Sequence, residues 1–210
     1  MGIQERRRRE REQRRRQIVN AARKVFSING FMKTTMEDIA HEAELSPGTL
    51  YLYFKNKDEL YASLSVEILE HLHRKLKSVY IKEAQNPQMR INDLKQTLYA
   101  VYEVDPLILL NLFHLQSSEI LKNLAPPMLT TIRDLSKNSL DIISKIFAEG
   151  IEKKVFIEQH PKMLTDVMWA LFSGVVLWEE SKRIISNKRE ANALAFDTAF
   201  EIFSRGIAQL

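Results

Sequence analysis

Glu70-His71-Leu72-His73 could bind a metal, because Glu70 and His73 stand at the Glu-x-x-His spacing that puts a carboxylate and an imidazole one helical turn apart. A di-iron carboxylate bundle needs two such pairs and two further glutamates, and no second Glu-x-x-His occurs in the chain. His71 and His73, two apart, face different ways on a helix. Cysteine is absent, which removes thiolate metal sites, disulfides and cysteine nucleophiles together and fits a reducing cytoplasm. Neither a Gly-rich phosphate loop nor a Gly-x-Ser-x-Gly elbow is present. The expectation is a protein that is not an enzyme, with no metal, no cofactor and no catalytic residues.

The remaining chemistry is ionic. Residues 1–60 hold 13 Lys and Arg against 9 Asp and Glu, and residues 61–210 hold 18 of each, so the net charge of +4 lies wholly in the first sixty. Arginines at 6–9, 11 and 14–16 supply most of it. Such an end suits a polyanion, because Arg–phosphate contacts release counterions. The alternative is a solvated charged tail. The longest apolar run, Leu107 to Leu110, is far short of the roughly 20 residues a bilayer span needs. The basic N-terminus has no apolar segment of the secretory type. A cytoplasmic protein without membrane attachment is expected.

The elements that would position this charge read as helices throughout. Residues 1–16 show no apolar stripe and are expected to form a flexible arm that turns helical near its end. Ile18, Ala22, Val25 and Phe26 then mark one face of a helix that Gly30 should stop. Thr35 with Asp38 makes a near capping box, followed by the stripe Met36, Ile39, Ala40, Ala43. After a break at Glu44 and Leu45, Ser46 and Pro47 suit the cap and first position of a short helix to Leu52. Asn56, with Glu59 as reciprocal cap, opens a long helix to Tyr80 carrying Leu60, Leu64, Ile68, Leu72 and Leu76. Further helices are expected over 91–104, 106–121, 127–153, 162–185 and 188–208. Val155-Phe156-Ile157 is too short to carry a sheet. The fold class is all-α, about nine helices: an arm (1–16), a three-helix helix-turn-helix domain (17–60) and a C-terminal helical bundle (61–210).

Two short helices joined by about three residues make a helix-turn-helix. Small Ala40 and Ala43 let its helices pack closely, and Gly48 and Thr49 keep the second helix's first turn near a groove. Here the chain resembles the TetR/AcrR family of transcriptional regulators. The resemblance rests on Ile18, Ala21-Ala22, Phe26 and Gly30-Phe31, on Thr34-Thr35, Asp38-Ile39-Ala40 and Ala43, and on the run from Leu45-Ser46-Pro47-Gly48-Thr49 through Lys57-Asp58-Glu59-Leu60. It implies that Thr35, Tyr53 and Lys57 touch backbone phosphates and that Ser46, Gly48, Thr49 and Tyr51 face the major groove of double-stranded operator DNA. Lys55 sits at the turn into the next helix, where a cation near phosphate is favourable. Thr35 serves equally as a cap, and Tyr53 as a packing aromatic. With Pro-Gly-Thr at the tip, few bidentate base contacts are available, so discrimination would lean on Tyr51, Thr49 and DNA shape. The arginine arm would enter a neighbouring minor groove.

The resemblance further implies a homodimer through the last two helices and a repressor released by a small effector. The expected dimer faces are Leu164, Val167, Met168, Leu171 and Val175, and Phe196, Ala199, Phe200, Phe203 and Ile207. The expected effector lining is Leu72, Tyr99, Tyr102, Phe113, His114, Gln116, Met128, Trp169, Phe172 and Trp178, an apolar and aromatic set with few polar handles. Each dimer-face residue reads equally as plain core, and for each residue of the effector lining plain core is the stronger reading. A DNA-binding protein that organises chromosomes rather than regulating genes is the other reading of the same motif.

Overall fold

Thr35, Ser46 and Asn56 each start a helix by accepting a backbone N–H with the side chain, and these three local events divide the N-terminal third into its elements. A computed structural model describes residues 2–82, 86–106, 109–110, 112–113, 120–186 and 193–209. The helices are α1 (Ile3–Lys33), α2 (Met36–Glu42), α3 (Pro47–Tyr51), α4 (Lys57–Ile81), α5 (Pro87–Val104), α6 (Ile120–Asn123), α7 (Pro126–Glu152), α8 (Pro161–Ser186) and α9 (Ala193–Ile207). Pro106, Leu109, Leu110, Leu112 and Phe113 are also helical, and part of the helix expected over 106–121 falls outside the described residues. Among the described residues no helix is long and apolar enough to cross a membrane. Phe156 makes an isolated antiparallel bridge to Ala208, all the β-structure that its three-residue run supports.

The Arg-rich stretch differs from expectation. Residues 3–16 are not an irregular arm but the first turns of α1, continuous with its buried part. Arg, Glu and Gln are good helix formers, and Arg6–Glu10 and Arg8–Glu12 pair at i, i+4. Gly30 does interrupt the helix, with φ 73° and ψ 165°, a conformation favouring glycine. The α2–α3 turn is a Schellman motif: Leu45 N–H donates to Ala40 O and Glu44 N–H to His41 O, with Glu44 itself at φ 55°.

The head consists of α1, α2 and α3 closed against the start of α4. Ile18, Ala22, Val25 and Phe26 pack with Ile39, Ala40, Leu50, Phe54, Leu60 and Tyr61, all buried. Helix α4 runs on into the body, where it lies against α5 and α7 and buries Ile68, Leu69, Leu72, Leu76 and Val79. Helices α8 and α9 complete the bundle, α8 on α7 and α9 on both α5 and α8. One helix thus belongs to both cores.

Candidate nucleic-acid interface

At the head's tip, α3 exposes what its sequence suggests. Leu50 and Phe54, four apart, are buried, while Ser46, Gly48 and Tyr51 are exposed and Thr49 is half-buried. Ser46 Oγ accepts from Thr49 N–H at 3.2 Å and lies 2.9 Å from Thr49 Oγ1. If Ser46 donates within that pair, the Thr49 hydroxyl proton is left to reach an outside acceptor. Gly48 has only Ser46 Oγ, 4.0 Å away, near where a Cβ would sit, so the surface is open there. Leu52 is 75% exposed beside Tyr51. It is not among the contacts expected from sequence, yet an exposed aliphatic side chain at the tip suits a thymine methyl. Its place one residue beyond Tyr51, off the Leu50–Phe54 face, is the signal that could have found it.

The other expected contacts divide. Thr35 forms a full capping box, accepting from Asp38 N–H at 3.1 Å while its own N–H donates to Asp38 Oδ2 at 2.8 Å. The Thr35 hydroxyl also donates to Asp38 Oδ2 at 2.7 Å, and this bond, followed by the one from the Thr35 N–H, holds the Asp38 carboxyl below its ordinary value. Thr35 remains exposed, though both its N–H and its hydroxyl already donate to Asp38. Tyr53 is half-buried and packs on the core. Lys55 is exposed, and its N–H donates to Glu59 Oε2, one residue earlier than the reciprocal cap expected at Asn56. Lys57 is turned inward. Its ammonium donates to Phe31 O at 2.8 Å and Thr34 O at 2.9 Å and lies 4.5 Å from the Phe31 ring centre, clamping the end of α1 to the start of α4. This leaves at most one N–H for a phosphate.

Of the expected effector lining, Tyr99, Tyr102, Phe113, Trp169 and Phe172 do come together. Phe113 meets Trp169 and Phe172 edge-on at 6.0 Å each, Phe172 meets Phe196 at 5.9 Å, and Phe196 meets Tyr99 at 5.3 Å. Phe196, expected at a dimer face, joins this cluster. A polar handle stands at its edge: the Tyr102 hydroxyl donates to the buried Glu180 carboxylate at 2.8 Å. Leu72 is buried on α4 and Met128 half-buried on α7. His114 and Gln116 lie outside the described residues. Trp178 is 63% exposed and cannot line an interior cavity of this chain, because its position on α8 is turned well away from Phe172 and Val176.

The expected dimer faces also need correction. Leu164 and Met168 on α8, and Phe196, Phe200, Phe203 and Ile207 on α9, are buried within the chain. Leu171, Val175 and Ala199 are half-buried, and Val167 is exposed as expected; the outer face of α8 carries it with Met163, Gly174, Leu177 and Trp178, and that of α9 carries Ile202. Glu70 and His73 do not converge on a metal site: among the described residues no group of three His, Asp or Glu side chains could hold one.

Head and body are joined at one further place. Arg23 on α1 pairs with Glu67 on α4 at 2.5 Å and with Asp105, just past α5, at 3.7 Å. These residues, with His71 and Arg74, line a cleft of about 340 Å³. Burial, then the neighbouring Lys75 and Arg74 charges, lowers the His71 pKa.

Comparison with known proteins places these features. Residues 18–64 match the family described as bacterial regulatory proteins, tetR family. YhgD of Bacillus subtilis, an uncharacterised HTH-type transcriptional regulator, is 25% identical over 80% of this chain and 85% of its own. Among solved structures, the TetR-family regulator PfmR of Thermus thermophilus superposes with a TM-score of 0.74 at 18% identity, covering 90% of this chain and 97% of that one. The regulator FadR of Bacillus subtilis, solved in complex with stearoyl-CoA, gives 0.68 at 21% identity, over 91% and 98%.

Proposed function

We propose, from the premise that this chain belongs to the TetR family of bacterial regulatory proteins and is a DNA-binding transcriptional regulator rather than an enzyme, that it represses its genes and leaves its operator when an apolar effector occupies the body. The observation that carries this reading is α4, whose Leu60 and Leu64 pack in the head and whose Ile68, Leu72 and Leu76 pack in the body. A body ligand that displaces α4 must move the reading head with it.

Thr49, Tyr51 and Leu52 face the bases, with Thr35, Tyr53 and Lys55 against phosphates. Two such heads act as a homodimer joined by the outer faces of α8 and α9, whose Val167, Leu177, Trp178 and Ile202 would otherwise stay in water. The effector shifts the population toward a dimer whose heads are wrongly spaced for two half-sites. The ring cluster from Phe113 to Tyr99, with Tyr102 and Glu180 as its polar edge, suits a long apolar or aromatic molecule. The stearoyl-CoA complex of FadR makes acyl thioesters the first class to try. The protein would work in the cytoplasm, where its DNA is.

The test is fluorescence anisotropy with a promoter fragment that the full chain retrieves from its own genome. Stearoyl-CoA, shorter acyl-CoA thioesters and aromatic acids are titrated in turn. One of them should weaken binding at least tenfold, a shift of about 1.4 kcal/mol. Unchanged affinity across the panel, or activation of that promoter in a purified transcription assay, would overturn the repressor reading.

A further inference from the structure

The helical form of the Arg-rich extension changes what it can bind. An α-helix is about 10–12 Å across, whereas a B-DNA minor groove is only about 6 Å wide. Residues 3–16 therefore do not thread a minor groove in this conformation. Their charge, however, is sorted by face. At 3.6 residues per turn, Arg7, Arg11, Arg14 and Arg15 fall within an arc of about 100°. Glu5, Glu10 and Glu12 all lie outside that arc, and Glu10 and Glu12 are engaged by Arg6 and Arg8. The same arc continues along α1 as Ile18, Ala22 and Val25, the face packed into the head. The arginine stripe is thus the head-facing side of α1 carried beyond the domain.

Its point of departure is fixed. The Arg15 guanidinium lies 4.4 Å from the centre of the Phe54 ring and donates to Ser63 Oγ at 3.0 Å. Gln17 donates to Ala43 O at 2.8 Å, tying the same turn of α1 to the end of α2. Phe54 stands between Tyr53 and Lys55, so the stripe leaves the head beside the edge of the reading surface. From Ile3 to Arg14 the helix extends about 18 Å, at about 1.5 Å per residue. At about 3.4 Å per base pair that reach is about five base pairs.

We propose that the Arg7–Arg11–Arg14 face of each protomer lies along backbone phosphates flanking its half-site, a DNA contact separate from α3 that lengthens the footprint outward. The proposal rests on the helix-turn-helix reading of the head. An anionic membrane is the competing polyanion, but a helix lying on a bilayer needs an apolar face, and residues 4–16 contain no apolar side chain.

The test uses the full chain and a site enriched by it from a random-sequence duplex library. Two duplexes are made, ending two or twelve base pairs beyond the outer half-site edges. The wild type should bind the longer one at least tenfold more tightly at low ionic strength. The triple variant Arg7→Gln, Arg11→Gln, Arg14→Gln should bind both alike, with wild-type helicity by circular dichroism. Its slope of log affinity against log salt should be shallower by about 0.9 per lost contact, about 2.7 per protomer. The matching triple Arg→Lys variant should behave as wild type, which separates charge from a folding effect. Flank-independent binding by the wild type, an unchanged slope in the glutamine variant, or arginine-dependent sedimentation with anionic vesicles and no flank effect would each overturn the proposal. If the wild type enriches no duplex at all, the helix-turn-helix reading fails first and takes this one with it.

Discussion

Replacing Lys57 by Met keeps the aliphatic stem and removes only the ammonium that closes the head. The structure assigns that ammonium two carbonyl acceptors, Phe31 O at 2.8 Å and Thr34 O at 2.9 Å, and one ring, Phe31. Hydrogen bonds to a charged group contribute about 1.5 kcal/mol each at the low end of their range, and a partly exposed cation–π contact adds about 0.5 kcal/mol. The site is half-buried, so water recovers part of that sum at the freed carbonyls. A net loss of about 2 kcal/mol remains, equivalent to a fall in Tm of about 4–8 °C for a chain of this size. Urea and thermal unfolding followed by circular dichroism, at one fixed protomer concentration, measure it. Stability within about 0.5 kcal/mol of wild type, together with a DNA-binding salt slope reduced by about 0.9, would refute the clamp and restore Lys57 as a phosphate contact.

Glu44→Gly relieves a left-handed residue, φ 55°, in the α2–α3 turn. Removing about 1–2 kcal/mol of strain against about 0.5–1 kcal/mol of glycine entropy should raise stability by up to about 1.5 kcal/mol in urea titration, with DNA binding unchanged. Gly150→Ala should destabilise by about 3 kcal/mol or more, or fail to yield soluble protein, because a methyl there would overlap the buried Phe156 ring. The Asp38 carboxyl titrates below its ordinary value of 3.8 because Thr35 hydrogen-bonds its ionised form, so its contribution is present above that pH and lost as pH falls through the folded value. Acid unfolding of Asp38→Asn should accordingly be shallower below about pH 4 than that of the wild type. Val167→Glu, on the outer face of α8, should give monomers in sedimentation while leaving helicity intact; an undisturbed dimer would place the interface elsewhere.

The head is legible from the sequence because its boundaries are set by local chemistry. The Thr35–Asp38 box, the Ser46-Pro47 start and the Asn56 cap each depend on residues within four of one another, and all three form. The extension is illegible for the opposite reason. Residues 3–16 have no apolar stripe, so periodicity is silent, and the helix follows instead from ion pairs and continuity with Ile18. In α8 both faces are apolar. Leu164, Met168, Phe172 and Val176 recur every four residues and are buried, while Met163, Val167 and Trp178 are as apolar and exposed. Only the packing of α8 on α7 and α9 decides between the two faces, and that partner choice is not written in α8 itself. Lys57 shows the same limit on a smaller scale. The family resemblance implies that Lys57 is a phosphate ligand, and what turns it inward is a pair of carbonyls 23 and 26 residues away.

The central claim is that the exposed tip of α3 discriminates between DNA sequences. Its most direct test is duplex selection from a random library by the wild type, by Thr49→Ala and by Tyr51→Ala, with sedimentation of all three. The wild type should enrich one inverted repeat, and each variant should lose that preference while sedimenting as the wild type does. A wild type that enriches nothing, or variants that enrich the same repeat as strongly, would contradict the account.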